Sequence, residues 1–183
     1  MDRGTQSYER FLAGDESGLA EIIRDYSDGL ILYLNSFVNQ IAAAELLAED
    51  TFVRLAVRKP RNKGKAGFRT WLYAIGRNIA IDHLRRQKRQ KTVPLEDAER
   101  WQSEQQALEE VYIREESRIR VHRAMEALKP EYRQVLWMVY FEGFSCREAA
   151  GIMGKSVHGT ETLAYRARQA LKALLEKEGF DGL

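Results

Sequence analysis

The sequence has little of the chemistry on which metal-binding, disulfide-bonded or catalytic proteins depend. Its 183 residues include a single cysteine, Cys146, so an intramolecular disulfide bond is excluded. The three histidines are scattered and show no spacing typical of a zinc site. The chain also lacks a glycine-rich phosphate loop and a nucleophile paired with a base. We therefore expect no metal, no cofactor and no enzymatic activity.

Long apolar runs are missing as well. No stretch approaches the roughly 20 apolar residues of a membrane-spanning helix, and no apolar segment typical of a secretory signal is present. We therefore expect a cytoplasmic protein without membrane insertion. Hydrophobic residues make up 44% of the chain, which is typical of a globular protein and too many for a disordered one.

Acidic residues are scarce in one block of the chain. Residues 54–91 contain thirteen Lys and Arg but one acid, Asp82. The blocks on either side are acidic, with ten acids and three basic residues in 1–53, and eight acids and two basic residues in 92–117. A solvated helix surface normally mixes its charges, so this block predicts a polyanionic partner, nucleic acid ahead of an anionic membrane.

The hydrophobic pattern predicts an all-α protein, because no alternating strand pattern of any length is present. Helical periodicity follows Asp15, returns over residues 42–58 and defines a buried stripe from Phe68 to Ile79. We expect two small helical domains, 1–90 and 116–183, joined by an acidic linker at 91–115.

The C-terminal half contains a helix-turn-helix pattern. Ser145 and Glu148 form a capping box that starts a short helix, and Gly154 closes it. A longer helix follows, with an apolar face from Leu163 to Leu174. In a helix-turn-helix the second helix enters the DNA major groove. A plain αα-hairpin of a helical bundle is the alternative for this motif taken alone.

Two aromatic residues lie beside the basic segment, where unstacked bases of single-stranded DNA could stack. Trp71 lies on the apolar stripe and is expected in the core, whereas Tyr73 lies off it and is the better candidate for a surface contact. Asn78 either reads a base edge or caps a local turn. The basic residues that follow, His83 to Arg89, are suited to phosphates, which carry no sequence information.

The order of these segments resembles one family, the extracytoplasmic-function sigma factors of bacterial RNA polymerase. Residues 68–86 (FRTWLYAIGRNIAIDHLRR) are similar to the family's segment for the −10 promoter element. Residues 45–54 (ELLAEDTFVR) are similar to its helix for the clamp helices of the β′ subunit, although Leu46 stands where the family usually has Asp. The helix-turn-helix resembles the family's motif that binds the −35 promoter element, although Gly159 and Glu161 depart from the usual pattern of that motif.

The resemblance implies a non-enzymatic factor whose partners are core RNA polymerase, through the β′ clamp helices and the β flap, promoter DNA and an anti-sigma factor. The residues that it assigns to the −10 element are Arg69, Tyr73, Arg77, Asn78, His83, Arg85, Arg86 and Lys88. Those assigned to the −35 element are Arg147, Ser156, His158, Thr160, Glu161, Thr162, Arg166 and Arg168. Those assigned to polymerase are Glu45, Glu49, Asp50, Phe52 and Arg54.

Two other functions remain open from the residues themselves. One is a stand-alone helix-turn-helix repressor or activator whose first domain senses a ligand. The other is an RNA-binding regulator that uses the same basic segment. A repressor binds duplex operator DNA tightly by itself, whereas a sigma factor needs core polymerase.

Overall fold

The computed structural model of the chain describes residues 2–62, 66–90 and 121–177, apart from residue 122. These residues form helices and connecting turns, with no strand among them, so the expected all-α class is confirmed. A π-helical turn, Trp137–Phe141, follows the fifth helix directly. The helices are α1 Arg3–Leu12, α2 Ser17–Val38, α3 Ile41–Arg58, α4 Phe68–Gln90, α5 Pro130–Leu136, α6 Cys146–Met153 and α7 Val157–Lys177.

The helix ends follow local sequence chemistry. The Asp2 carboxylate accepts the Thr5 amide at 2.8 Å and caps α1. Asn39 ends α2 and Lys59 ends α3, both in the left-handed conformation, with φ of 53° and 41°. Pro60 follows Lys59, so α3 ends where the sequence predicts. The first helix, α1, was not expected from the sequence.

The first unit, α1 to α4, closes around the stripe that the sequence predicts on α4. Phe68 and Leu72 are 1% and 0% exposed, and Ile79 is also buried. Trp71 and Ile75 are partly buried and pack against the same core. Burial of each large apolar side chain contributes about 1.5–3 kcal/mol, so this stripe fixes α4 against α2 and α3.

The second unit consists of the helical residues 123–126 and helices α5 to α7. The capping box expected at the start of α6 is formed, since Ser145 and Glu148 each bond the other's backbone amide. Gly154 ends α6 with a φ of 65°, a conformation that favours glycine. Helices α6 and α7 pack against each other, and the small side chains Ala149 on α6 and Ala167 on α7 are fully buried.

The two units lie against each other, with α4 packed on α6 and α2 packed on α5. The buried apolar side chains of both units form a continuous cluster. The acidic linker expected at 91–115 lies outside the described residues. None of the described helices is both long and apolar enough to cross a membrane.

Candidate nucleic-acid interface

The C-terminal half of α4 presents a polar and basic surface. Asn78, Arg85, Arg86 and Lys88 are exposed, and His83 is half-buried. The Arg85 guanidinium lies 3.7 Å from the Asp82 carboxylate one turn earlier, and both side chains are mostly exposed. A surface ion pair of this kind contributes little, so these cations are available to phosphate groups.

Arg77 lies between this surface and the core. Its side chain is half-buried, and its Nε has no hydrogen-bond partner within the described residues. The sequence predicts that Arg77 contacts DNA. Arg77 lies beside Asn78 on α4, and its contact with DNA stays a prediction.

The first turns of α4 behave differently, because Arg69 and Tyr73 are engaged by the second unit. Arg69 Nη2 donates to the backbone oxygen of Glu142 at 2.5 Å and to its Oε2 at 2.6 Å. Tyr73 donates its hydroxyl to the same Oε2 at 2.7 Å. Burial and the neighbouring Glu142 carboxylate raise the pKa of the Tyr73 phenol well above its ordinary value, so it stays a proton donor at neutral pH.

Tyr73 is therefore 1% exposed, and the expectation that it lies on the surface is wrong in this structure. The local pattern missed its burial because the covering residues, Glu142 and Phe144, come from the other unit. The Phe144 ring contacts Tyr73 edge-on, with centroids 5.0 Å apart. Arg69 is separated from Arg85 by about 24 Å along the helix axis, so the predicted −10 residues form two separate groups.

The start of α7 presents most of the residues expected to read the −35 element. Ser156, His158 and Glu161 are exposed. The Ser156 hydroxyl oxygen also accepts the Gly159 amide at 3.1 Å and so caps the helix. Thr162 is half-buried and donates to the His158 carbonyl at 3.0 Å. Three further predicted residues are exposed cations, namely Arg147 on α6, and Arg166 and Arg168 on α7.

Thr160 is a correction, because it is 0% exposed and was expected at the DNA surface. Its hydroxyl donates to the Ser156 carbonyl at 3.0 Å, one turn earlier in the helix. Thr160 shares the buried face of α7 with Ala164 and Ala167. Tyr165, which sequence reasoning did not select, is 64% exposed on the same helix.

The outer side of α3 carries the residues expected to face polymerase. Glu45, Glu49 and Asp50 are exposed and Arg54 is half-buried. Phe52 is a correction, since it is 7% exposed and belongs to the core. Its position on the helix points its side chain inward, so Phe52 packs in the core beneath the exposed residues of α3.

Sequence reasoning missed an apolar row on this side of α3. Leu46, Val53 and Val57 are 64%, 50% and 76% exposed. They recur at i, i+7 and i+11, which places them along one face of the helix, with Asp50 between them. The sequence does contain a signal for their exposure, because these three residues lie on a different side of the helix from Ala44, Leu47 and Leu55, which are buried.

The second unit exposes a further apolar pair, Tyr140 and Phe141, at 55% and 53%. The Phe141 ring stacks on Trp137 with centroids 4.5 Å apart and planes 7° apart. The π-helical turn that contains these residues was not predicted. Within the residues that the structure describes, no group of three metal-ligating side chains is present.

Comparison with known proteins identifies the two units. A family model described as Sigma-70 region 2 matches residues 22–90, and one described as Sigma-70, region 4 matches residues 118–171. The RNA polymerase sigma-H factor of Pseudomonas aeruginosa is 26% identical over 184 residues, covering 96% of this chain and 95% of the relative. The ECF RNA polymerase sigma factor SigM of Bacillus subtilis is 27% identical, covering 86% of this chain and 94% of the relative.

The chain belongs to the extracytoplasmic-function group of the sigma-70 family. It is therefore an alternative sigma factor, a non-enzymatic protein that brings core RNA polymerase to promoter DNA. The solved structure described as "Structure of CnrH in complex with the cytosolic domain of CnrY" has a TM-score of 0.69 and 23% identity, covering 96% of this chain and 99% of that chain. At that identity the likeness shows the fold of this sigma factor.

Proposed function

We propose that this sigma factor docks on core polymerase through one face of α3, here called the α3 face and defined as Leu46, Asp50, Val53 and Val57. The observation that carries the proposal is the exposure of its three apolar side chains, at 64%, 50% and 76%. A row of exposed apolar side chains on a helix indicates a protein partner, because water contact costs free energy at each of them.

Charged side chains border the α3 face. Glu45 and Glu49 lie on one side and Arg54 on the other, all at positions that the family resemblance assigns to polymerase. The apolar row supplies burial, and the bordering charges select the partner, because unlike charges favour docking and like charges oppose it. We propose the β′ clamp helices as the docking partner of this face.

The promoter contacts follow from the exposed basic groups. The exposed end of α4, with Arg85, Arg86 and Lys88, is suited to hold the DNA backbone at the −10 element, and Asn78 is exposed for a base edge. The start of α7 is proposed to enter the major groove at the −35 element. We assign the exposed pair Tyr140 and Phe141 to the polymerase side of the second unit, as the contact with the β flap.

Regulation by an anti-sigma factor is part of the proposal. The solved structures of similar fold include one described as a complex of the sigma factor RpoE with the anti-sigma factor NepR from Bartonella quintana, at a TM-score of 0.65 and 20% identity. In this chain a groove of about 380 Å³ between α2 and α3 is lined by Ile23, Ile31 and Phe52. We propose this groove for the inhibitor, and the cytoplasm, where polymerase works, as the location of the chain.

Run-off transcription tests the docking proposal. Core polymerase with the wild-type chain should yield transcripts from genomic fragments that core polymerase alone does not transcribe. The substitution Val57→Glu should weaken core binding about thirtyfold or more, because an unpaired carboxylate in an apolar contact costs roughly 2 kcal/mol or more. Leu12→Glu on α1, at a residue 38% exposed and outside the α3 face, is the matched control and should bind normally.

Two results would contradict the proposal. Unchanged core binding by Val57→Glu, measured by gel filtration or fluorescence anisotropy, would remove the α3 face from the polymerase contact. Tight binding of duplex promoter fragments by the free chain, together with no transcription on adding core polymerase, would favour the stand-alone regulator instead.

A further inference from the structure

A groove of about 320 Å³ lies between α3 and α4. Pockets that hold small ligands have volumes of roughly 300–1,000 Å³, so this groove is large enough for a ligand of modest size. Three arginines line it, Arg54 and Arg58 from α3 and Arg86 from α4. The groove thus joins the helix that we assign to polymerase to the helix that we assign to DNA.

The three arginines are available to bind an anion. Arg58 and Arg86 are exposed, and Arg54 is half-buried. Within the part of the chain that the structure describes, none of the three has an ion-pair partner. Asp82 lines the same groove, but its carboxylate lies 3.7 Å from the guanidinium of Arg85. A partly buried guanidinium without a carboxylate has lost hydration and gained no compensating contact, so an anion from outside the chain is favoured here.

The spacing of the arginines on α3 concentrates positive charge on one side of that helix. Arg54 and Arg58 are four residues apart, so their side chains are neighbours, and like charges at this spacing repel each other. Asp50 continues the same row, but it lies about 12 Å from Arg58 along the helix axis. A phosphate group beside the two arginines would replace their repulsion with charge-assisted hydrogen bonds, to which the guanidinium group is suited.

Apolar side chains line the groove beneath these cations. Leu47 and Ile79 are 3% and 8% exposed, and both belong to the core. Val53 of the α3 face also lines the groove, and the half-buried His83 adds a ring N–H donor. An apolar surface beside several cations suits a ligand that carries both an anionic group and a flat, weakly polar part. A nucleotide, with its phosphate and its base, has this composition.

We propose that this groove is a phosphate-binding site, in which Arg54 and Arg58 of α3 and Arg86 of α4 hold the phosphate of one nucleotide unit. The site adds Arg58, which neither the sequence pattern nor the family resemblance selects. It also gives Arg54 an anionic ligand, in addition to its place beside the α3 face. Polymerase-docking helix and DNA-binding helix therefore contribute to one site.

Two sources supply this chemistry, a strand of promoter DNA and a free nucleotide. The strand is the expected source, because Arg86 also belongs to the basic end of α4 that we assign to the DNA backbone. The choice of source rests on the proposed function, whereas the phosphate site itself does not. Separate experiments therefore test the site and the source.

The first experiment tests the site in the free, full-length chain. Inorganic pyrophosphate is titrated into isotopically labelled protein, and NMR spectra follow the Nε–Hε signals of the arginine side chains. The signals of Arg54, Arg58 and Arg86 should shift together with a single dissociation constant. Arg58→Gln should weaken pyrophosphate binding about fivefold or more, because a charge-assisted hydrogen bond is lost. Arg24→Gln on α2 is the matched control, since it removes the same charge at an exposed residue outside the groove, and should bind as the wild type does.

The second experiment identifies the source of the phosphate. Promoter DNA carries a neutral methylphosphonate at one backbone position of the −10 element at a time, and its binding to preassembled holoenzyme is measured. With the strand in the groove, one such position should weaken binding of the wild type about fivefold or more, and should have little further effect on Arg58→Gln holoenzyme. If no position is coupled to Arg58 in this way, the source is a free nucleotide. Labelled ATP should then bind the free wild-type chain and bind Arg58→Gln more weakly.

Two outcomes would overturn the phosphate site. One is pyrophosphate binding that is no weaker in Arg58→Gln than in Arg24→Gln, which would show general attraction to a basic surface. The other is the absence of both the coupling to promoter DNA and the binding of ATP. Failure of the proposed sigma function has a different signature, because the wild-type chain would then give no polymerase-dependent transcript while pyrophosphate binding by the free chain stayed unchanged.

Discussion

The capping box of α6 is the residue-scale feature with the simplest energetic consequence. Ser145 Oγ accepts the Glu148 amide at 3.2 Å, and Glu148 Oε2 accepts the Ser145 amide at 2.9 Å. Removal of an N-cap hydroxyl costs about 1 kcal/mol. We expect Ser145→Ala to destabilise the chain by that amount in urea unfolding, with an unchanged dependence on urea concentration.

Threonine at the same position retains a hydroxyl, so Ser145→Thr is the control and should restore most of the lost stability. A loss as large in Ser145→Thr as in Ser145→Ala would show that the cap is not the cause. The side-chain and backbone hydrogen bonds from Ser145 lower the pKa of Glu148 below its ordinary value of 4.5. The carboxylate contribution is therefore complete above about pH 4.5 and is lost as the pH falls through the folded pKa.

Single residues also show where prediction of burial from the sequence succeeds and where it fails. The sequence predicts Phe68 and Leu72 in the core because their helical spacing is a local property. It fails for Thr160, a polar residue that shares a helix face with the buried Ala164 and Ala167. It also fails for Tyr73, which lies off the apolar stripe of α4 and is covered by groups distant in sequence. The burial of Tyr73 depends on which surfaces meet in three dimensions, and hydrophobic periodicity along one helix carries no information about that.

At the scale of elements, the helix boundaries that sequence chemistry predicts best are those with a strong breaker. Pro60 follows the end of α3, and Gly154 ends α6. The end of α4 is less well predicted, since the helix continues to Gln90 through a polar basic segment without apolar periodicity. The π-helical turn at Trp137–Phe141 has no local signal, because its sequence is as apolar as that of an ordinary α-helix.

The basic end of α4 carries the element-scale prediction. We expect the combined substitution of Arg85, Arg86 and Lys88 by Ala to weaken holoenzyme binding to all promoters by a similar factor. Each lost phosphate contact should also reduce the slope of log affinity against log salt by about one unit. Filter binding across a range of salt concentrations measures both quantities.

Asn78→Ala is the contrasting variant on the same helix. If Asn78 contacts a base edge, its loss should reduce discrimination at one −10 position by about 1–3 kcal/mol and leave the salt slope unchanged. Equal effects on matched and mismatched promoters would show that Asn78 has only a structural role. Unchanged salt slope in the triple variant would remove those cations from the backbone contact.

At the scale of the whole molecule, charge and packing act in opposite directions. The basic block at 54–91 favours DNA strongly, with thirteen cations against one acid. At the contact between the two units, however, Arg69 is paired with Glu142, while its side chain is 38% exposed. The cations at the end of α4, including Arg85 and Arg86, are exposed, so packing of the two units removes only a small part of this attraction.

A reversible crosslink gives the sharpest whole-molecule prediction. The Thr70 methyl group on α4 lies 4.0 Å from the position of a Cβ at Gly151 on α6. A cysteine pair at these two positions therefore brings its two sulfur atoms close together, as a disulfide bond requires. The native Cys146 is replaced by serine, so that no other disulfide forms in the chain.

We expect the oxidised Thr70→Cys, Gly151→Cys chain to lose polymerase-dependent transcription, because a covalently closed chain cannot place α4 and α7 on separate promoter elements. A reducing agent should restore transcription to the level of the same variant before oxidation. Each single cysteine variant should be insensitive to the oxidant, which controls for damage elsewhere. Full transcription by chains shown to be crosslinked on a non-reducing gel would demonstrate that separation of α4 from α6 is not required, because the disulfide holds these two helices together throughout the reaction.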